Sequence, residues 1–396
     1  MTKRTRPLRK LLLAGAVATM MTVAACASNP AGPNGSAATN GGESPHPSHD
    51  TSSAAPALPL RAGERFVNLT MPEPYTPAAP NGGTDEYRCV IIDPHLTRPT
   101  FLSGTQFQPQ NTPMVHHAIV FAVPPENAAA AHAKDAATPG QGWTCFGNDG
   151  IEGQQPSAWV DTWAPGATET LLQQDVGYQL QPGSLLVLQI HYNLLATGAG
   201  PTDQSSVRLR LTDGTPATKP LVTVQLPAPT ELPCAAGESG PLCDRAAAIA
   251  DVTQRFGAET GGMEDGLISV CGGGTPAPGN TQHCDVPFTQ PMTVYAAFGH
   301  MHLLGRSIKM ELNPDTANAQ TLLDVPNFDF DHQMLQPMPS PVDVNPGDTV
   351  RVTCIHDATL RQQLPQLSKL PPRYVVWGDG TTDEMCLGLL TATFRG

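Results

Sequence analysis

What most limits the fold of this chain is how short its apolar runs are. Between about Arg61 and Ala217 they are broken again and again by Pro, Gly and Asn, the punctuation of antiparallel strands rather than of helices. The run Leu185-Leu186-Val187-Leu188-Gln189-Ile190-His191-Tyr192 follows the turn signal Gln181-Pro182-Gly183-Ser184. Period-two alternation puts Val187, Gln189 and His191 on one face of that strand. Residues 114–123 read as a second strand, and residues 291–304, 307–312, 342–344, 349–355, 374–377 and 385–394 as others. Asn345-Pro346-Gly347-Asp348 carries Pro and Gly at the central positions of a type II turn, which fits a link between two of them. With 41 Pro, 37 Gly and 14% charged residues, the composition agrees with a turn-rich β protein. An all-β fold of two β-sandwich domains is expected, the second carrying an insertion at its start.

The N-terminus reads as a signal peptide over residues 1–25: Lys3, Arg4, Arg6, Arg9 and Lys10 precede an apolar segment ending in small residues. That segment, about 15 residues, is short of the roughly 20 needed to span a bilayer. Val23-Ala24-Ala25-Cys26 resembles the lipobox of bacterial lipoproteins, which implies acylation of Cys26 and a tether to the outer face of the membrane, free secretion being the alternative. Residues 26–60 are rich in Ala, Pro, Gly and Ser and read as a flexible spacer; His46 and His49 within it read as incidental. Removing the first 25 residues leaves 17 Lys and Arg against 35 Asp and Glu, a net charge near −18. No basic stripe is left for a nucleic-acid partner.

Export changes how the cysteines are read. With Cys26 set aside, eight remain for an oxidising compartment, and no C-x-x-C pair points to zinc. Four of them, Cys234, Cys243, Cys271 and Cys284, fall in residues 218–290, a connector and insertion with one helix near residues 244–256. Sequence leaves all three pairings of these four open. The expected organisation is therefore 61–217 for the first sandwich, 218–290 for the insertion and 291–396 for the rest of the second.

The chemistry lies in the histidines. His300 and His302, at i and i+2 in an apolar run, point to one face of a strand and form half of a metal site. His116-His117 and His191 stand in the first sandwich, and Met385 near the C-terminus. Neighbours such as His116 and His117 face opposite sides of a regular strand, so a twist or bulge is required to bring both to one metal. A thioether is a soft ligand, so His300, His302 and Met385 favour copper, Cu(I) above all. The three-histidine set is less selective.

Thr112-Pro113-Met114-Val115-His116-His117, Val187-Leu188-Gln189-Ile190-His191-Tyr192, His300-Met301-His302-Leu303-Leu304-Gly305 and Thr382-Asp383-Glu384-Met385-Cys386 resemble, in this order, the motifs of the copper type II ascorbate-dependent monooxygenases. The resemblance runs from about Arg61 to the C-terminus and is poorest over 218–290. It implies two jelly-roll-like sandwiches facing each other across an open, solvent-filled cleft, with one copper in each. His116, His117 and His191 match the electron-storing copper. His300, His302 and Met385 match the catalytic copper, where dioxygen and a small-molecule substrate meet, with ascorbate or a similar reductant as the electron donor. It further implies the disulfides Cys89–Cys145 and Cys354–Cys386.

One departure bears on the substrate. Alternation puts Phe298 on the face of His300 and His302, and Leu387 and Leu389 on that of Met385. Peptide-amidating members hold an Arg, an Asn and a Tyr at the corresponding positions to grip a carboxylate. Three apolar residues here leave such a group unpartnered. The expectation is a neutral, fairly apolar substrate for C–H hydroxylation. Two other classes remain: a copper-buffering lipoprotein, and an interaction module whose histidines are incidental. His95, His132, His283, His332 and His356 lie outside the motifs and receive no role; for His332 and His356 the reading is a satisfied or solvent-exposed histidine, with steadying a metal-ligating histidine as the alternative.

Overall fold

The computed structural model describes residues 56–395, apart from 81–82, 139, 154 and 196–199. The signal peptide, Cys26 and most of the expected spacer lie outside the described residues. Leu58 and Pro59, at the end of that spacer, are tied down: their carbonyls accept from Arg210, which also pairs with Glu64 and Glu169.

The strand Leu185–Asn193 shows why some apolar runs are nearly continuous. Leu186, Leu188 and Ile190 face one core, while Leu185 and Val187 face another. A strand buried on both sides needs apolar residues at almost every position. It sits mid-sheet in the order Trp143–Thr144, Asp85–Ile92, Leu185–Asn193, Val115–Val123, Ala158–Trp163. The opposing sheet runs Glu64–Thr70, Ser206–Thr212, Thr100–Gln108, Val176–Leu180, Lys219–Pro220, with Thr170–Leu171 alongside Thr100–Gln108. Leu102, Tyr178, Val207 and Leu209 from this second sheet close the first core.

The remaining strands build a second pair of sheets. One runs Val222–Pro227, Leu387–Phe394, Met292–His300, Gln336–Val344; the other runs Thr281–Pro287, Thr349–His356, Gly305–Leu312, Gln320–Val325. Their core joins Val294, Ala297, Leu390 and Ala392 to Ile308, Met310, Val350 and Val352. Gly299 and Gly388 are register partners, and a Cβ on either would press within 2.6 Å of Ile308 or 2.4 Å of Met310. The two glycines let the sheets approach closely right beside His300.

Between the pairs lies a third core. Ile119, Phe121, Val123 and Val187 pack with Phe298, Leu387 and Leu389. A bulge between Val294 and Ala296 resets the alternation, so Phe298 and His300 share this face while Ala297 turns to the other. Apolar side chains from both sheet pairs thus meet at this junction.

In the insertion, Asp244 caps Arg245–Phe256 by accepting from the Ala247 amide at 2.9 Å. A second helix, Ala258–Cys271, packs back on the first; Gly261 is needed there, since a Cβ would lie 2.0 Å from Thr253 Oγ1. Cys234 pairs with Cys243 and Cys271 with Cys284, choosing one of the three open pairings; Cys89–Cys145 and Cys354–Cys386 complete four disulfides. Such a set belongs to an extracytoplasmic protein. No helix among the described residues is long and apolar enough to cross a membrane.

Three strand expectations change, the first being 291–304, whose strand ends at His300 and leaves His302 in the turn that follows. Residues 374–377 form isolated bridges, Val375 to Leu232 and Trp377 to Glu384, instead of a strand, because their backbone groups are taken up by the insertion and by Glu264. The final strand begins at Leu387, so Met385 reaches its place from a loop.

Candidate metal centre

The three-histidine set is built inside one sheet. His117 and His191 are cross-strand partners, and the register slips between Val115 and His117, so that His116 is the extra residue of a bulge. That bulge is the irregularity two adjacent ligands require. The ligand atoms of His116, His117 and His191 all lie within 4.8 Å of one another. His191 Nε2 is 2.8 Å from Asp85 Oδ1, and its Nδ1 is 3.3 Å from His117 Nδ1. With the Nε2 hydrogen donated to Asp85, Nδ1 keeps its lone pair for a metal. Tyr87 stacks on the His191 ring at 4.1 Å, 10° from parallel.

Charge follows from burial. His117 is pushed well below its usual range by burial and then by the neighbouring imidazoles, and His191 is lowered by burial despite Asp85. For Asp85, burial alone raises the pKa, but hydrogen bonds from His191 and Thr381 bring it below the ordinary carboxylate range. The result is neutral imidazoles beside an ionised carboxylate, the protonation state in which imidazole binds metal.

The second set stands where a strand ends. His300 closes Met292–His300, and His302 lies in the turn that follows. His300 Nδ1 donates to Gln333 Oε1 at 2.7 Å, while Gln333 Nε2 donates to the Phe330 carbonyl. His302 Nδ1 donates to the Asp383 carbonyl at 3.3 Å, which leaves Nε2 buried and without a hydrogen-bond partner. A buried, unpaired imidazole nitrogen fits a metal ligand. Burial lowers His300 to about 3.

The segment Asp383-Glu384-Met385-Cys386 divides its labour. Asp383 pairs with Arg255 through both oxygens, at 2.6 and 2.7 Å, and with Arg373. Glu384, fully buried, accepts the amides of His302, Leu304 and Met385 and faces His356 Nε2 at 3.4 Å. Cys386 is bonded to Cys354. Met385 alone is left to face the cavity described next.

The two sets touch. Ring centroids of His117 and His300 are 5.6 Å apart, and all five imidazoles are buried. Beside them a cavity of about 380 Å³ is lined by His117, His300, Met385, Phe298 and Leu387. Leu389 lines instead an adjoining void of about 20 Å³, because it stands two residues farther along the strand. His116, His191 and His302 do not line the main cavity.

Several partners were invisible to sequence reasoning. Phe330 stacks on His116 at 4.0 Å and meets His302 edge-on. It belongs, with Gln333, to a segment without periodicity. Asp85 and Tyr87 stand in Thr84-Asp85-Glu86-Tyr87-Arg88, and Asp379 and Glu384 in Asp379-Gly380-Thr381-Thr382-Asp383-Glu384, polar stretches in which nothing local singles them out. Asp379, also on the cavity wall, is raised to about 6 by burial. Of the two candidate steadying histidines, His356 is buried against Glu384, whereas His332 is exposed and pairs with Asp329.

Residues 279–391 match the family model described as copper type II ascorbate-dependent monooxygenase, C-terminal domain. None of the curated proteins matches the chain. Among solved structures, the major capsid protein P2 from Bacteriophage PM2 aligns with 84% of this chain and 98% of its own, at 7% identity and a TM-score of 0.29. Allantoicase aligns with 80% of this chain and 90% of its own, at 11% identity and a TM-score of 0.19. Overlaps of this size carry no argument about activity.

Proposed function

We propose that this chain, which belongs through residues 279–391 to the copper type II ascorbate-dependent monooxygenases, hydroxylates a C–H bond of a small, largely apolar molecule. The observation that carries this reading is that His117, of the first ligand set, shares one cavity with His300 and Met385 of the second. His116, His117 and His191 would hold one copper and His300, His302 and Met385 the other. Bound copper supplies one-electron chemistry by which dioxygen, with two electrons from ascorbate or a similar reductant and two protons, gives one oxygen atom to the substrate and one to water.

The chain's own residues prepare that chemistry. Asp85 and Gln333 fix which nitrogen of His191 and His300 is free, and Glu384 holds the turn of His302 and the approach of Met385. Phe298, Leu387 and Trp159 keep the cavity wall apolar and limit water at the reacting C–H bond. Among the described lining residues there is no Lys or Arg, so a glycine-extended peptide would bring its carboxylate to a site without a cationic partner. Cys26 is proposed as a lipid anchor on the outer face of the membrane.

The test is reductant-dependent oxygen uptake by the copper-loaded protein against a panel of small apolar compounds, with products analysed after reaction under ¹⁸O₂. One labelled oxygen in a hydroxylated product supports the reading. Unchanged compounds throughout, from protein holding two coppers, would contradict it and favour a copper-buffering role.

A further inference from the structure

Two further voids lead from the surface toward the ligand cavity along the junction of the two sheet pairs. The outer one, of about 210 Å³, opens beside Thr168 and Met334, both exposed, and is also lined by Thr170, Leu172, Leu335 and Thr391. These last four line the void of about 20 Å³ at Leu389 as well, and that void shares Trp159 and Phe298 with the main cavity. Thr162 lines all three. The three spaces therefore stand in a row, with the smallest in the middle.

The middle void is the polar point of an apolar junction. Asp161, Thr162, Thr170, Tyr178, Thr223 and Thr391 line it, and no Lys or Arg is among its described lining residues. Its hydroxyls are ordered: Tyr178 Oη and Thr223 Oγ1 are 2.6 Å apart, and Thr223 donates to the Trp159 carbonyl at 2.6 Å. Asp161, only 8% exposed, accepts from the hydroxyls of Thr105 and Thr170. Tyr178 is the titratable group that faces it, while Glu169, at the outer mouth, is paired with Arg210. Burial outweighs the hydrogen bonds and raises the Asp161 carboxyl to about 6. A space of about this size holds one water when several polar groups surround it.

We propose that Asp161 and one water in this void form the path by which protons enter the ligand cavity from solvent. This rests on the oxygenase reading, whose stoichiometry consumes two protons for each dioxygen. In each passage the Asp161 carboxyl gives its proton to the void water, which passes one of its own to the cavity side at Thr162. The carboxylate then takes the Thr170 hydroxyl proton, and Thr170 is reprotonated by water in the outer void. No electron moves, and every group ends as it began. A carboxyl titrating near the working pH can both give and take protons. A one-water constriction admits protons without flooding the apolar cavity.

Both arms of the test use the full exported chain. Copper-free protein is followed by infrared difference spectroscopy between about pH 5 and 8, which bracket the Asp161 carboxyl. Its band should vanish in Asp161→Asn and shift promptly on transfer to D2O, as a buried acid in contact with solvent must. Its midpoint should move up in Thr170→Val, which loses a hydrogen bond that favours the carboxylate. Copper-loaded protein is followed by ascorbate-driven oxygen consumption against pH. The rate should fall as pH rises through about 6, because the proton donor is lost. Asp161→Asn should be about a hundredfold slower, the low end for loss of a positioned acid, and flat over that range. Thr170→Val should be roughly threefold slower, the worth of one neutral hydrogen bond, and it carries the test by itself should Asp161→Asn not fold. A carboxyl band that does not shift in D2O, or a pH profile unchanged in the folded variant, overturns the path. Prompt exchange at Asp161 in two-copper protein that consumes no oxygen sinks the oxygenase reading instead.

Discussion

The two proposed ligand sets are made by different means. His116, His117 and His191 rise from paired strands in the middle of a sheet, where hydrogen bonding fixes the backbone and one bulge corrects the direction of His116. His300, His302 and Met385 come from a strand end, a turn and a loop, and polar clamps fix them instead: Glu384 on three amides, Gln333 on His300, Asp383 between Arg255 and Arg373. A sheet gives rigid placement with few helpers. A loop site needs many, and each helper is a place where it can be broken without touching the other set.

Glu384→Ala should have the largest effect. It leaves the buried amides of His302, Leu304 and Met385 without their acceptor, a destabilisation of about 3–5 kcal/mol, and one of two coppers should be lost. Denaturant unfolding and elemental analysis read both. His191→Ala breaks the other set at comparable but smaller cost, about 3 kcal/mol, because buried Asp85 loses its imidazole partner but keeps the hydroxyls of Thr84 and Thr381 as donors. Here the copper that survives should be the one bound by Met385, identified by a sulfur scatterer in the X-ray absorption of the reduced protein.

Gln333→Leu removes the acceptor of His300 and the donor to the Phe330 carbonyl. Copper affinity at that set should fall about 10–100-fold with the three-histidine set unchanged, as competition with a chelator would show.

A pH series sharpens the comparison from the insertion side. Glu264 accepts the Trp377 and Thr230 amides and is raised to about 8, first by burial and then by its neighbour Glu231. A carboxyl raised on folding contributes stability that is full below its unfolded pKa, near 4.5, and is lost as pH rises through about 8. Between pH 6 and 9 the parent protein should therefore lose stability relative to Glu264→Gln, by up to about 1.4 kcal/mol per pH unit. Parallel curves would remove Glu264 from the account. Smallest of all, Met385→Leu should change stability by less than about 1.5 kcal/mol, while weakening the hold on Cu(I).

What the sequence revealed follows the same division. Alternation in Leu185–Asn193 was enough to send His191 away from Leu186, Leu188 and Ile190, and the adjacent pair His116-His117 demanded the bulge that forms. The helix near residues 244–256 was legible in the sequence. The helix Ala258–Cys271 was not, since Gly261, Gly262 and Gly266 lower its helix propensity and it is held by packing and Glu264 instead. Gln333, Phe330 and Asp379 act from loops whose positions depend on long-range packing, which leaves no period to read. The meeting of His117 and His300 is likewise a property of how two sheet pairs pack, beyond any local pattern.

Copper stoichiometry, with X-ray absorption of the reduced protein, decides whether two inequivalent copper sites adjoin one cavity. Two coppers per chain are expected, one with a sulfur neighbour that disappears in Met385→Leu. A single metal per chain, or two coppers without sulfur in the parent protein, would contradict it.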